Sequence, residues 1–146
     1  MQAIKHIFGR DYEKYEGVRR INIYLLRVLY LLMATMLAYD AWSYIFTHQG
    51  AWDNREGVVW SVWAAFSALA ILGVLHPLRM IPILLLEIFY KGLWLILVAY
   101  PLWKAGTLAA SPAMDMTVVF LPVVIVALIM PWGYVVRTFV MGRKQA

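Results

Sequence analysis

The sequence contains no cysteine among its 146 residues. Disulfide exchange, thiolate-bound zinc, iron–sulfur clusters and covalently attached haem all require cysteine sulfur. These chemistries are therefore excluded, and with them the thiol oxidoreductases of the membrane. A single cysteine introduced by mutation would also be the only thiol in the chain.

Charged residues are scarce as well. They make up 14% of the chain, whereas 64% of the residues are hydrophobic. An ordinary soluble domain has about 25% charged and about 45–50% apolar residues. Because a soluble fold of this length could not bury so much apolar surface, the composition predicts an integral membrane protein. The length predicts a single domain over residues 1–146.

Four long apolar runs cover residues 21–46, 58–75, 81–103 and 116–136. Each approaches the ~20 residues that an α-helix needs to cross a hydrocarbon layer of ~30 Å. The runs predict an all-α membrane protein, a four-transmembrane-helix bundle with an uncleaved first helix. Pro122 and Pro131 are expected to kink the fourth helix, and no internal repeat is evident.

The segment before the first run, residues 1–20, has apolar side chains at helical spacing with basic residues between them. The apolar positions are Ile4, Ile7, Phe8, Tyr12 and Tyr15, and the basic ones are Lys5, Arg10 and Lys14. This pattern predicts a short amphipathic helix on the cytoplasmic face of the membrane.

The basic residues predict the orientation of the chain. With four spans, both termini lie on one side, together with Lys5, Arg10, Lys14, Arg19, Arg20, Arg79, Arg137, Arg143 and Lys144. The opposite loops hold Arg55 and Lys104. The positive-inside rule therefore places both termini and the second loop in the cytoplasm, where the basic residues would contact anionic lipid headgroups rather than nucleic acid. We expect a multi-pass protein of a bacterial inner membrane.

Charged residues inside the apolar runs are the candidate functional residues, because a charge in the bilayer is costly and usually kept for a purpose. Glu87 and Lys91 are four residues apart with the acid first, so they share a helix face and can pair. Arg27 has a similar depth in the first run, which predicts a bridge to Glu87. With the neighbouring rings, the candidate cluster comprises Arg27, Glu87, Lys91, Tyr90 and Trp94.

Two roles are open for this cluster. It can hold the helices together, or it can bind or relay a proton, an ion or a charged solute.

Other polar residues lie towards the outer boundary. Asp40 is expected there, within reach of Lys104. His48, Asp53 and Glu56 share the first outer loop, but their spacing matches no metal motif, so neither a metal nor another cofactor is expected.

Small residues on the second run suggest how the protein functions. Ser61, Ala64, Ala65 and Ala68 share a face, with Ser67 and Gly73 nearby, and small residues let membrane helices approach closely. The first hypothesis is a non-enzymatic protein, either a self-associating bundle that forms a homo-oligomer or an accessory subunit of a membrane complex. The alternative is a small transporter or channel that uses Arg27, Glu87 and Lys91. An enzyme ranks last because no Ser-His-Asp or His-rich arrangement is evident.

The predicted topology can be tested with single cysteines. Ala51→Cys and Gln145→Cys are expected to react with a membrane-impermeant thiol reagent from opposite sides of the membrane, because the four-span arrangement separates them. Labelling of both positions from the same side would contradict four spans.

Overall fold

The computed structural model describes residues 10–142, which are almost entirely helical. The long helices are α1 Arg20–Thr47, α2 Asn54–Leu75, α3 Ile81–Lys104, α4 Ala113–Ile129 and α5 Trp132–Val140. The first three are each long and apolar enough to cross a membrane, and α4 with α5 adds a fourth crossing if the break between them lies within one span. A helical protein with three to four candidate spans is therefore confirmed, and a short strand pair precedes the first long helix.

Several of these helices are composite. α1 and α3 each contain a π-helical segment between two α-helical parts, α4 is interrupted at Leu121–Pro122, and α5 ends in a π segment. The parts are Arg20–Leu32, Met33–Leu37 and Ala38–Thr47 in α1; Ile81–Trp94, Leu95–Ala99 and Tyr100–Lys104 in α3; Ala113–Phe120 and Val123–Ile129 in α4; and Trp132–Val135 and Val136–Val140 in α5. A 3₁₀ turn, Leu108–Ala110, precedes α4. Both predicted proline positions coincide with interruptions, at Pro122 within α4 and at Pro131 after it.

Local chemistry sets the ends of α2. The Asp53 side chain accepts hydrogen bonds from the backbone N–H groups of Arg55 and Glu56, at 3.0 and 3.1 Å. This N-cap starts the helix at Asn54, earlier than the predicted residue 58. The helix ends at Leu75 because His76 precedes Pro77 and takes a non-helical conformation. Residues 76–80 then connect α2 to α3.

The predicted amphipathic helix over residues 1–20 is not confirmed. In its described part, strand β1, Arg10–Asp11, pairs antiparallel with strand β2, Val18–Arg19. A single helical turn, Tyr12–Tyr15, lies between them. The chain then reverses through Glu16 and Gly17, whose φ angles of 53° and 80° fall in the left-handed region that glycine tolerates. The remainder of the predicted helix, residues 1–9, lies outside the described residues.

The described chain divides into two compact units. One comprises residues 10–83 with 131–142, and the other comprises residues 84–130. The first unit buries Ile23, Leu26, Tyr30, Phe66, Ala70 and Ile81, and the second buries Leu84, Ala99, Phe120, Val123 and Val126. That the chain forms one domain stays a prediction.

In the first unit, α1 and α2 approach each other at Gly73. The Tyr30 ring is fully buried and lies so close to this glycine that a Cβ added there would be 2.3 Å from the ring. The Tyr30 hydroxyl donates to the carbonyl oxygen of Pro77 at 3.3 Å. Farther along, Trp42 Nε1 donates to the buried Ser67 Oγ at 3.2 Å. The small residues of α2 therefore allow close packing within the chain.

α1 and α3 share a short sequence pattern. Leu25-Leu26-Arg27 with Tyr30 in α1 resembles Leu85-Leu86-Glu87 with Tyr90 in α3. An Ala-Tyr-x-x-Trp motif follows in each helix, at residues 38–42 and 99–103. The spacing differs by one residue, and both helices have a π segment between the two motifs. Arg27 and Glu87 therefore occupy the same place within the first of these two motifs.

We predict that Gly73→Ala lowers the stability of the protein by about 2 kcal/mol or more, because the new methyl group would overlap the buried Tyr30 ring. The matched control is Gly92→Ala in α3, where an added Cβ meets nothing within 4 Å. The control should change stability by about 1 kcal/mol or less. Thermal unfolding in detergent measures both, and equal stability of the two variants would show that the Tyr30 contact is not close.

Candidate functional site

Glu87 and Lys91 form an ion pair on α3, in the second unit. Lys91 Nζ lies 2.5 Å from Glu87 Oε1, and the two residues are one helical turn apart. The Lys91 side chain is 15% exposed and that of Glu87 is 7% exposed. Since an isolated charge is strongly disfavoured in so apolar a place, each residue supplies the counter-charge that keeps the other there.

Two aromatic rings lie near the Lys91 ammonium group. Lys91 Nζ lies 5.5 Å from the centroid of Phe120, which α4 contributes, and 6.0 Å from that of Tyr90. Tyr90 and Trp94 both meet Phe120 edge to face, with ring centroids 5.6 and 5.2 Å apart. The negative ring faces add a cation–π attraction to the ion pair. The cluster therefore attaches α3 to the first half of α4.

The second oxygen of the Glu87 carboxylate is available for a further interaction. Oε2 is buried, and no hydrogen-bond donor within residues 10–142 contacts it. A buried acceptor without a partner is costly, so a hydrogen bond from a water molecule or a ligand N–H to this atom would be favoured. This atom is the chemically unsatisfied part of the cluster.

Arg27 lies on α1 in the first unit, so its predicted bridge to Glu87 stays a prediction. Within its own unit, the half-buried Arg27 lines a cleft together with His76 and Arg79. Its Nε atom is buried and contacts no hydrogen-bond acceptor in the described part of the chain.

Asp40 and Lys104 are both exposed. Asp40 belongs to the first unit and Lys104 to the second. Their predicted proximity therefore stays a prediction too.

The three outer-loop residues considered as metal ligands have other contacts. Asp53 caps α2, and Glu56 accepts a hydrogen bond from the Tyr44 hydroxyl. The His48 ring stacks on Trp52, with centroids 3.8 Å apart. Over residues 10–142, no three His, Asp or Glu side chains come close enough together to hold a metal ion.

An aromatic cluster that the sequence did not predict lies near these residues in the first unit. Tyr44 stacks on Trp60 with centroids 4.1 Å apart, and Trp63 meets Trp60 edge to face at 5.2 Å. The i, i+3 spacing of Trp60 and Trp63 is the signal that could have indicated a packed cluster.

We predict that Lys91→Met destabilises the protein by about 3 kcal/mol, because it leaves the buried Glu87 carboxylate without a counter-charge. Adding Glu87→Gln should recover most of this loss, since the double variant has no buried charge. Unfolding by SDS in mixed micelles measures these differences, with Lys104→Met as the control for an exposed lysine. If the losses of the two single variants simply add in the double variant, the residues do not stabilise each other.

Comparison with known proteins gives no relative: no family model, no curated protein and no solved structure matches the chain.

Proposed function

We propose that this chain is a non-enzymatic membrane protein that associates with copies of itself within the bilayer. In this proposal, the polypeptide crosses a bacterial inner membrane four times as a helix bundle, with both termini in the cytoplasm. The observation that carries the proposal is the exposed small-residue face of α2, formed by Ser61, Ala65 and Ala68.

The small residues of α2 lie on two different faces. Ala64, Ser67 and Gly73 are buried, and Gly73 and Ser67 contact α1 as described above. Ser61, Ala65 and Ala68 are exposed, at spacings of four and three residues, so they share a second face. The internal contact therefore uses only part of the small-residue surface that the sequence contains.

The exposed face has the composition of a membrane-helix interface. Larger apolar residues, Val62, Leu69 and Leu72, lie next to the small ones and are also exposed. Between helices in lipid, close backbone approach and good packing replace the hydrophobic effect, and a serine hydroxyl can form a hydrogen bond across the contact. Ser61, Ala65 and Ala68 would form a groove that admits the α2 helix of a second copy.

The Glu87–Lys91 pair supports a structural role in the same proposal. It is paired, largely buried and bounded by Tyr90 and Phe120, which is the arrangement expected of a packing contact. The orientation follows from the distribution of basic residues around the spans.

The alternative is a small transporter or channel for a proton, an ion or a charged solute, using Arg27, Glu87 and Lys91. The observation that favours it is the buried, unpartnered Oε2 of Glu87. Proton or ion flux into liposomes that Glu87→Gln abolishes would support the alternative over the structural role.

We predict that Ala65→Leu with Ala68→Leu weakens self-association about tenfold or more, because the two larger side chains fill the groove and keep the backbones apart. The matched control is Val124→Phe, which adds similar bulk at an exposed position of α4. Counting photobleaching steps of labelled protein in liposomes, at several protein-to-lipid ratios, measures the association.

The proposal fails if the α2 variant and the wild type give the same distribution of steps. If the wild type is monomeric, but the α2 variant loses a membrane protein that co-purifies with the wild type, the chain is instead an accessory subunit.

A further inference from the structure

The first unit contains a basic cleft that neither the self-association of α2 nor the Glu87–Lys91 cluster uses. It has a volume of about 340 Å³ and is lined by residues from four segments of the chain. Arg27 comes from α1, and His76 and Arg79 come from the connection after α2. A cleft of this size is within the range of ~300–1,000 Å³ that is usual for small-ligand sites.

The charge of the cleft favours an anion. Arg27 and Arg79 contribute two positive charges, and Glu16 is the carboxylate among the described lining residues, so the cleft stays positive with His76 neutral. A guanidinium group presents a planar fork of donors that matches phosphate or carboxylate oxygens. The guanidinium groups of Arg27 and Arg79 can therefore both donate hydrogen bonds to one anion in the cleft.

Arg27 needs an acceptor. Its Nε atom is buried and contacts no acceptor within the described residues. The residue lies about 10 Å along α1 from Arg20, at ~1.5 Å rise per residue. A long arginine side chain at this depth can extend towards the headgroup region of a membrane. An anion at that level would satisfy a donor that otherwise stays unpaired.

The cleft also has apolar lining residues. Leu75, Pro77 and Leu78 line it at the end of α2. A cleft lined by both arginines and apolar residues suits an amphiphile whose phosphate meets the guanidinium groups and whose chains lie along the apolar side chains. Basic pockets at the cytoplasmic ends of membrane helices bind anionic headgroups in this manner.

The cleft is held open by a buried contact. The Tyr30 hydroxyl donates to the Pro77 carbonyl oxygen, and this bond fixes the connection that bears Arg79 next to the α1 segment that bears Arg27. Tyr134 also lines the cleft and is itself buried. Two buried tyrosines, Tyr30 and Tyr134, therefore hold the residues that line the cleft in place.

We infer that the cleft of Arg27, His76 and Arg79 binds the phosphate group of an anionic lipid, a role independent of self-association through α2.

The test uses the purified full chain in a neutral detergent. Binding of dioleoylphosphatidylglycerol is compared with that of zwitterionic dioleoylphosphatidylcholine by native mass spectrometry, and sodium phosphate is added in a parallel thermal-shift series. The variants are Arg27→Gln and Arg79→Gln. The control is Arg20→Gln, which removes a charge from the same end of α1 but from a residue that does not line the cleft.

The expected result is a preference for the anionic lipid that becomes about tenfold weaker in Arg27→Gln and in Arg79→Gln, while Arg20→Gln retains it. Stabilisation by sodium phosphate with no preference between the lipids would identify the same phosphate site with a free anion as its source. Arg79 is exposed in a connecting segment, so its variant decides the matter even if Arg27→Gln does not fold.

Three results would overturn the inference. The first is equal retention of both lipids with no stabilisation by phosphate. The second is unchanged binding in Arg79→Gln. The third is an equal loss of the lipid preference in Arg20→Gln, which would show that the preference comes from general attraction between a basic surface and an anionic lipid.

Discussion

The contact between the Tyr30 ring and Gly73 is the constraint on which the first unit depends. It brings the backbones of α1 and α2 together, since no side chain stands between the ring and the helix. The same residue reaches Pro77 with its hydroxyl group and so holds the connection that carries Arg79. Arg27 lies one turn before Tyr30 on α1. One buried side chain therefore determines both the helix approach and the place where the basic cleft forms.

The buried charges of the apolar segments contribute to stability in a different way from the small residues at the α1–α2 contact. A buried ion pair contributes little net stability relative to an apolar replacement, but breaking it by removing one partner is costly. In the proposed structural role, the Glu87–Lys91 pair with Phe120 would specify how α3 and the first half of α4 pack rather than how strongly the unit folds. The pair lies on α3, which has the same α–π–α pattern as α1. Glu87 and Arg27 have the same place in the shared sequence motif, but their neighbouring residues differ.

Much of the helix content could be predicted from hydrophobic runs, whereas the ends and contacts of the helices could not. The apolar run that begins at residue 58 did not predict the start of α2 at Asn54. The N-cap at Asp53 starts the helix four residues earlier, so polar residues form its first turn. Helical spacing before Arg20 did not reveal the paired strands, since the turn at Gly17 competes with helix formation. The spacing of Glu87 and Lys91 predicts that they share one helix face. The contact of Phe120 with Lys91 could not be predicted, because Phe120 belongs to another helix. The cleft was invisible for the same reason, because its arginines are far apart in the sequence.

In the proposed function, an exposed face of α2 joins copies of this chain in the membrane. The most direct test is the mass of the wild-type particle, measured by native mass spectrometry after gentle extraction from the membrane. We expect a complex of two or more identical chains that persists on dilution to low micromolar concentration. A particle with a single chain at every concentration would contradict it.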